Sequence, residues 1–407
     1  MLFQALKSEF TTRNGQTVGG GFFGMFGGTT KSGQLVNNNS ALTLSAFYNG
    51  IEILCNDYAK LPKAVIQKKD GDRLKQDNHS IKYLISKRPN NLMTSFMFDK
   101  MMLQYAILKG NAYAVVERNN ATQKVLALHL VDQQKTPVVV KKHEGRLWYS
   151  VGNNVYADYE MLHIPGFSFN GITGVGIVTM AANSLGVSLA SQNYASEYYD
   201  SKGDGLGIIT STKPMDPDAK IRLSEAVTNR LSQKGQTKVT VLDEAGSFQH
   251  IKLTPQESQF LQTNASGVIE VARWLNLPPH KLKALDNATF SNIEHQEIQH
   301  ISDSILPWTL KFQNEYDVKL FSKAEIAAGY SVKFNTNSLL RADLATQADY
   351  FSKLIFAGVI SRNDVRVMLE MNKADGLDDY LTPVNAQTLE HIDLKLEELK
   401  KKIKDVA

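Results

Sequence analysis

Apolar residues along this chain recur at helical spacing in some stretches and gather in short β-rich runs in others, and the points where the pattern changes divide it into modules. Leu44, Phe47, Tyr48, Ile51, Leu54, Cys55 and Tyr58 step by threes and fours, predicting a helix from about Ser40 that ends before Leu61-Pro62. AVIQKKDGDRL then reads as a strand running into an Asp70-Gly71 turn. A second helical stretch covers about 93–108 and stops at Gly110. Between Asn111 and His163 the pattern changes to short β-rich runs: AYAVVER, KVLALHLV, TPVVVKK, RLWYSV and MLHIP, separated by turn residues such as Glu144-Gly145 and Gly152-Asn153-Asn154. Helices and antiparallel strands kept in separate runs predict an α+β module.

After FNGITGVG, read as a glycine-rich hinge, Ile177, Ala181, Leu185 and Leu189 step by four and Tyr194 and Tyr198 extend the stripe. The predicted helix, about 174–201, would run roughly 40 Å. Residues 202–253 look self-contained: a strand GLGIIT, a helix opened by Asp216-Pro217 and closed by Gly235, and a hairpin of KVTVLD with SFQHIKL. Thr254-Pro255-Gln256-Glu257 is a capping box with Thr254 as cap and Glu257 at its third position, opening a helix to about 275 that would partner 174–201. Pro278-Pro279 cannot continue it, so 277–292 reads as a loop. A second box, Ser291-x-x-Glu294, opens a helix with Glu294, Ile298, Ile301, Ile305, Trp308 and Phe312 on one line, kinked at Pro307. YSVKFNT is a strand; 341–357, 361–371 and 384–404 are helical. Residues 11–40, centred on GGGFFGMFGG, hold too little apolar surface for the backbone entropy they would lose and read as a flexible arm.

Composition narrows the function classes. A hydrophobic share of 43% and a charged share of 21% are those of a folded globular chain. A net charge of +4 and pI near 8.8 suit a nucleic-acid partner without requiring one. The single cysteine, Cys55, excludes a disulfide framework or a Cys-based zinc site within one chain and fits a reducing compartment. No apolar run nears the ~18–20 residues of a membrane span. The start, MLFQALKSEF, lacks a signal-peptide pattern, so a soluble, unexported protein with no membrane association is expected.

Few residues suggest chemistry. Glu297-x-x-His300 has the helical spacing of carboxylate-bridged metal sites, but such sites draw the motif from two helices with further glutamates. The other copy, Glu160-x-x-His163, lies in a strand-like run. His295 and His300 fall about 140° apart on a helix, too far around to share one ion. GMFGGTTKS lacks the glycine a Walker loop places directly before its lysine, GITGVG has the wrong spacing for a dinucleotide fingerprint, and no GxSxG elbow occurs. No metal, cofactor or catalytic residue is therefore expected. HKLKALDN differs in kind. His280, Lys281 and Lys283, held between prolines and a capped helix with Asn287 at the end, form a constrained basic finger, which composition alone reads equally as an ordinary solvated loop or as a sequence-independent phosphate contact.

The order of these parts, together with SALTLSAFYNGIEILCNDYAKLP, LKGNAYAVVERN, GVIEVARWLNLPPHKL, ATFSNIEHQ, ILPW, VKFNTNSLLRAD and LIFAGVISRNDVR, resembles the portal proteins of tailed bacteriophages, in the long-tailed-phage branch, over roughly residues 40–375. The family usually has a glycine soon after Pro-Pro-His, where this chain reads HKLKALDN. The resemblance implies an elongated, multi-module α+β subunit in a ring, usually a dodecamer, at one capsid vertex. Double-stranded DNA would enter and leave through its channel. Partners would be the terminase large subunit, the major capsid protein and a head–tail connector, and the protein would sit in the virion after assembly in the host cytoplasm. It would be no enzyme, since a separate terminase hydrolyses ATP.

On this resemblance 1–40 is the arm, 41–173 the wing, 174–201 and 254–276 the stem helices and 202–253 the clip. Residues 277–292 are the tunnel loop, with His280, Lys281, Lys283 and Asn287 toward DNA. Residues 293–320 are the kinked channel helix, 321–340 a wing strand and 341–407 the crown. Two alternatives of other kinds are a metal-dependent hydrolase centred on Glu297 and His300, and another capsid or connector protein.

Overall fold

The computed structural model describes residues 16–17, 30–200, 207–211, 216–218, 221–222, 225, 246–250, 257–284, 290–339, 344–369 and 371–381. The chain divides into two units, Met1–Thr336 and Asn337–Ala407.

Among the described residues, the first unit mixes helices with three antiparallel sheets of three or four strands and two two-stranded ones. Strand β1 (Gln16–Thr17) and a helical turn α1 (Asn38–Ala41) precede α2 (Ser45–Ala59). Strands β2 (Lys63–Lys69) and β3 (Asp72–Lys75) form a hairpin whose turn residues Asp70 and Gly71 both have positive φ, +52° and +93°, as a two-residue turn matched to strand twist requires. Helices α3 (Ser80–Ser86) and α4 (Ser95–Leu108) lead into β4 (Asn111–Arg118), β5 (Val125–Leu130), β6 (Val138–His143), β7 (Arg146–Val151), β8 (Asn154–Ala157) and β9 (Met161–Pro165). Sheet order is β5-β4-β9 in one sheet and β1-β6-β7-β8 in another. The third sheet, β14-β2-β3, recruits β14 (Tyr330–Phe334) from far along the chain, with Val332 opposite Val65.

One apolar centre lies between α2, α4 and α9 (Leu306–Leu320). Phe47, Ile51, Leu54 and Tyr58 face Phe98, Met102, Phe312 and Tyr316, all nearly solvent-free, and the Tyr58 and Phe312 rings are 4.7 Å apart. A second cluster, Tyr113, Val131, Val140, Tyr149 and Met161, fills the space between two of the sheets. Charged groups are buried as well. Lys63 pairs with Asp99 in the interior, Tyr316 donates to the other Asp99 oxygen at 3.3 Å, and β2, α4 and α9 are thereby tied at one point.

The chain leaves β9 through β10 (Phe167–Ser168) and β11 (Gly174–Val175) into the turn α5 (Ile177–Met180) and the long helix α6 (Ala182–Asp200). The glycines here are a packed seam, which corrects the hinge reading. A Cβ on Gly174 would sit 2.0 Å from the Gly110 carbonyl, one on Gly176 2.3 Å from the Leu108 carbonyl, and one on Gly166 2.6 Å from the Ala106 carbonyl. Glycine stands at these positions because two passes of backbone touch there.

The expected flexible arm is also corrected in part. β1 extends the sheet edge beside Lys141 and Lys142, and residues 30–34 lie along α6. Thr30 and Ser32 sit over Gly186, the Lys31 amide donates to Asn183 at 3.4 Å and Asn193 donates to Gln34 at 3.1 Å. Polar hydrogen bonds hold this segment, so its low apolar content gave no hint of order.

Strand β12 (Gly207–Ser211) pairs antiparallel with β13 (Gly246–His250). The KVTVLD run expected as the partner of SFQHIKL lies outside the described residues. Helix α7 (Glu257–Leu275) packs against α6, with Gly267 facing the Ser188 hydroxyl. Helix α8 (Phe290–Gln299) continues through a π-helical turn, His300–Ile305, into α9. The kink expected at Pro307 takes this form. It re-phases the apolar line, so Ile298 is 54% exposed while Ile305, Thr309, Phe312, Tyr316 and Leu320 are buried. The short helix α10 (Lys323–Ala327) precedes β14.

The second unit contains α11 (Leu344–Phe356) and α12 (Arg362–Met368), the latter capped by Ser361 and Asp364. Buried Asn363 bonds both backbone groups of Ala374 and fixes the loop after α12. The helix expected at 384–404 lies outside the described residues.

Candidate functional site

The basic finger begins where α7 ends. Asn276 takes a left-handed conformation at φ +52°, which an asparagine tolerates better than most residues, and Leu277 closes back onto the Ala272 carbonyl at 2.8 Å. Pro278 and Pro279 then start a single 3-10 turn, Pro279–Leu282, which Lys283 ends in a left-handed conformation at φ +61°. This turn is seated on α2. Gly50 leaves a notch that Leu275, Leu277 and Leu282 fill, and a Cβ there would lie 2.4 Å from Leu275 Cδ1.

Helix α8 supplies the polar side of the site. His280 is nearly buried, with Nδ1 2.6 Å from Gln296 Oε1 and Nε2 2.8 Å from Glu297 Oε1. Lys281 Nζ lies 2.7 Å from Glu297 Oε2 and 3.9 Å from Asp57 Oδ2. Asp57, on α2, is shared: its Oδ2 is 3.1 Å from His300 Nε2 and its Oδ1 is 3.0 Å from Lys60 Nζ. Burial by itself would raise both carboxyls. Hydrogen bonds from Lys281 and His280 outweigh it and hold Glu297 below the ordinary carboxylate range. At Asp57 burial is likewise the largest influence, and the His300 and Lys60 hydrogen bonds with the charges of Lys60 and Lys281 overcome it, so this carboxyl too is lowered.

Glu297 and His300 are therefore drawn to different partners. Glu297 accepts from the finger, whereas His300, 1% exposed in its side chain, turns inward to α2. No group of three or more metal-ligating side chains occurs among the described residues. In the other Glu-x-x-His pair, Glu160 caps the Ala157 amide at 2.9 Å, while His163 is buried between Tyr149 and Asn111. Lys283 is exposed at the end of the finger. Asn287 and Thr254 lie outside the described residues, and Glu257 is where α7 begins. Ser291 falls inside α8, which has begun by Phe290.

Pro307 works together with the finger's base. It has no N–H to give the Asp303 carbonyl four residues earlier, and Asn276 Nδ2 donates to that oxygen at 2.8 Å. Ser304 donates in return to the Asn276 carbonyl. Asp57, Gln296 and Asn276 were not singled out from the sequence. Asp57 is 243 residues from His300, so nothing local announces the pairing.

Comparison with known proteins gives a consistent picture. The family model described as phage portal protein matches residues 45–370. The chain is 24% identical to the portal protein of Enterobacteria phage HK97 over 340 residues, 81% of this chain and 79% of that one. It is 26% identical to the probable portal protein of Streptomyces phage phiC31 over 380 residues, 88% and 82% of the two chains. Its fold is similar to the crystal structure of an HK97-family phage portal protein from Corynebacterium diphtheriae, with a TM-score of 0.58 and 14% identity, covering 75% of this chain and 96% of that one. It is also similar to a chain in the neck of a native gene transfer agent particle computed with C12 symmetry, at a TM-score of 0.52 and 16% identity, covering 84% and 96%.

Proposed function

The chain belongs to the phage portal protein family, and from that premise we propose that it assembles into a closed ring through whose channel double-stranded DNA passes during packaging and ejection. In this reading the ring, a dodecamer, sits at one capsid vertex, meets the major capsid protein, and docks a terminase motor and later a head–tail connector. It carries no catalytic centre of its own. Residues 41–173 with β14 form the wing, α6 and α7 the stem, the 202–253 insert the clip, 277–292 the tunnel loop and 341–407 the crown. Assembly takes place in the host cytoplasm.

The observation that carries the reading is the family match over 45–370 combined with a basic turn, His280–Lys283, clasped between α2 and α8. A conduit must hold duplex without gripping it, since each retained phosphate contact slows movement. A rigid turn offering one exposed lysine per subunit supplies a weak, sequence-blind lining. Electron microscopy of the purified protein tests the assembly. Axial views showing rings of about twelve subunits with an opening that admits duplex DNA are expected. Compact monomers that stay monomeric alongside capsid protein and connector would overturn the proposal.

A further inference from the structure

We propose that Glu297 is a built-in counter-anion: its carboxylate occupies the place a DNA phosphate would take on Lys281 and His280, leaving Lys283 as the finger's working cation. The inference rests on the DNA-conduit reading and adds to it a residue that sets how weakly the loop holds duplex. The geometry is that of an internal competitor. One oxygen of Glu297 meets Lys281 at 2.7 Å and the other meets His280 at 2.8 Å, as two phosphate oxygens would. Asp57 adds a second negative charge behind the lysine at 3.9 Å and is itself held by His300 and Lys60. Lys281 is only 20% exposed in its side chain, so a phosphate must displace the carboxylate to reach it. Lys283, two residues on, is turned outward by its left-handed backbone.

Gln at position 297 keeps the shape and one acceptor oxygen but removes the charge. The test measures binding of the full-length protein to a fluorescent duplex of arbitrary sequence across a salt series. Glu297→Gln is expected to tighten binding by roughly an order of magnitude at about 0.1 M salt, and to steepen the log–log salt slope by about 0.9 for each subunit that gains a contact. Lys281→Ala added to Glu297→Gln should return both quantities to the parent values. Lys283→Ala should weaken binding in the parent protein. An unchanged slope in Glu297→Gln, with Lys283→Ala still weakening binding, overturns the counter-anion and leaves the conduit reading standing. A Lys281→Ala change that leaves the tighter binding of Glu297→Gln intact also overturns it, because the gained contact would not be to Lys281. If the assembled parent binds duplex with no salt dependence and Lys283→Ala changes nothing, the conduit reading falls and the counter-anion with it.

Discussion

Asn276 donates its side-chain amide to the Asp303 carbonyl, within the π-helical turn that leads into Pro307. The residue that ends α7 thus bonds into the π-helical turn, His300–Ile305, that joins α8 to α9.

Replacing Asn276 separates its two roles. Asn276→Gly keeps the left-handed backbone and removes the donor, so it should cost about 1 kcal/mol. Asn276→Asp should cost more, since an ionised carboxylate offers that carbonyl no hydrogen. In a Pro307→Ala background, where residue 307 regains its N–H, the Asn276→Gly loss should shrink by about 0.5–1 kcal/mol. Denaturant unfolding of the four combinations checks this, and strict additivity would refute the link.

The glycine seam gives a sharper contrast. Gly174→Ala must push apart backbone atoms 2.0 and 2.6 Å from the new carbon, and a loss of about 3 kcal/mol or more is expected. Gly171→Ala, at φ +73° with open space around it, should cost only about 1 kcal/mol. Comparable melting temperatures for the two variants would restore the flexible-hinge reading.

His163 should make stability depend on pH. Burial, with the positive charge of Lys319 adding to it, pulls its imidazole down to about 3. The folded state therefore refuses a proton that the unfolded chain accepts below about 6.5. The contribution is intact above that value and is lost as pH falls toward 3, at about 1.4 kcal/mol per pH unit. Between pH 6.5 and 5 the protein should lose about 2 kcal/mol that a His163→Gln variant does not. Nearby Glu315, whose carboxyl burial raises, acts in the opposite sense in both proteins and cancels in the difference. Parallel curves for the two would rule out His163 as the source.

The Lys63–Asp99 pair should behave asymmetrically. Asp99→Leu leaves an ammonium stranded in the interior and should cost about 3–5 kcal/mol. Lys63→Met together with Asp99→Leu should recover most of that loss, because the desolvation of both ions disappears with them. A double variant as unstable as the single one, measured by thermal unfolding, would mean that the pair contributes more than it costs.

These contrasts also show where the sequence was informative. Asp70-Gly71 predicts the β2–β3 turn because few other pairs adopt positive φ twice, and Pro307 predicts a break because it removes a donor whatever surrounds it. Both signals are local. Helix α3 was missed because SIKYLIS is too short to establish a period and its cap is His79, an uncommon capping residue. The seam was misread because a glycine that relaxes the backbone and a glycine that admits a neighbouring backbone look alike until the neighbour is known. At the candidate site the basic finger was legible from prolines and lysines in sequence. Its neutralisation was not, since Asp57 and Glu297 reach it from helices that the fold alone brings together.

The same seam determines how a mechanical load would cross the molecule. Gly110, Gly166 and Gly174 meet without side chains between them, and the Gly166 amide donates to the Gly110 carbonyl at 2.7 Å. A pull on α6 is therefore delivered to the β4–β9 sheet through close backbone contacts and through the Asn111 side chain, which bonds both the amide and the carbonyl of Gly174 at 2.8 Å. The junction is a stiff strut, and its compliance is that of a few hydrogen bonds loaded together.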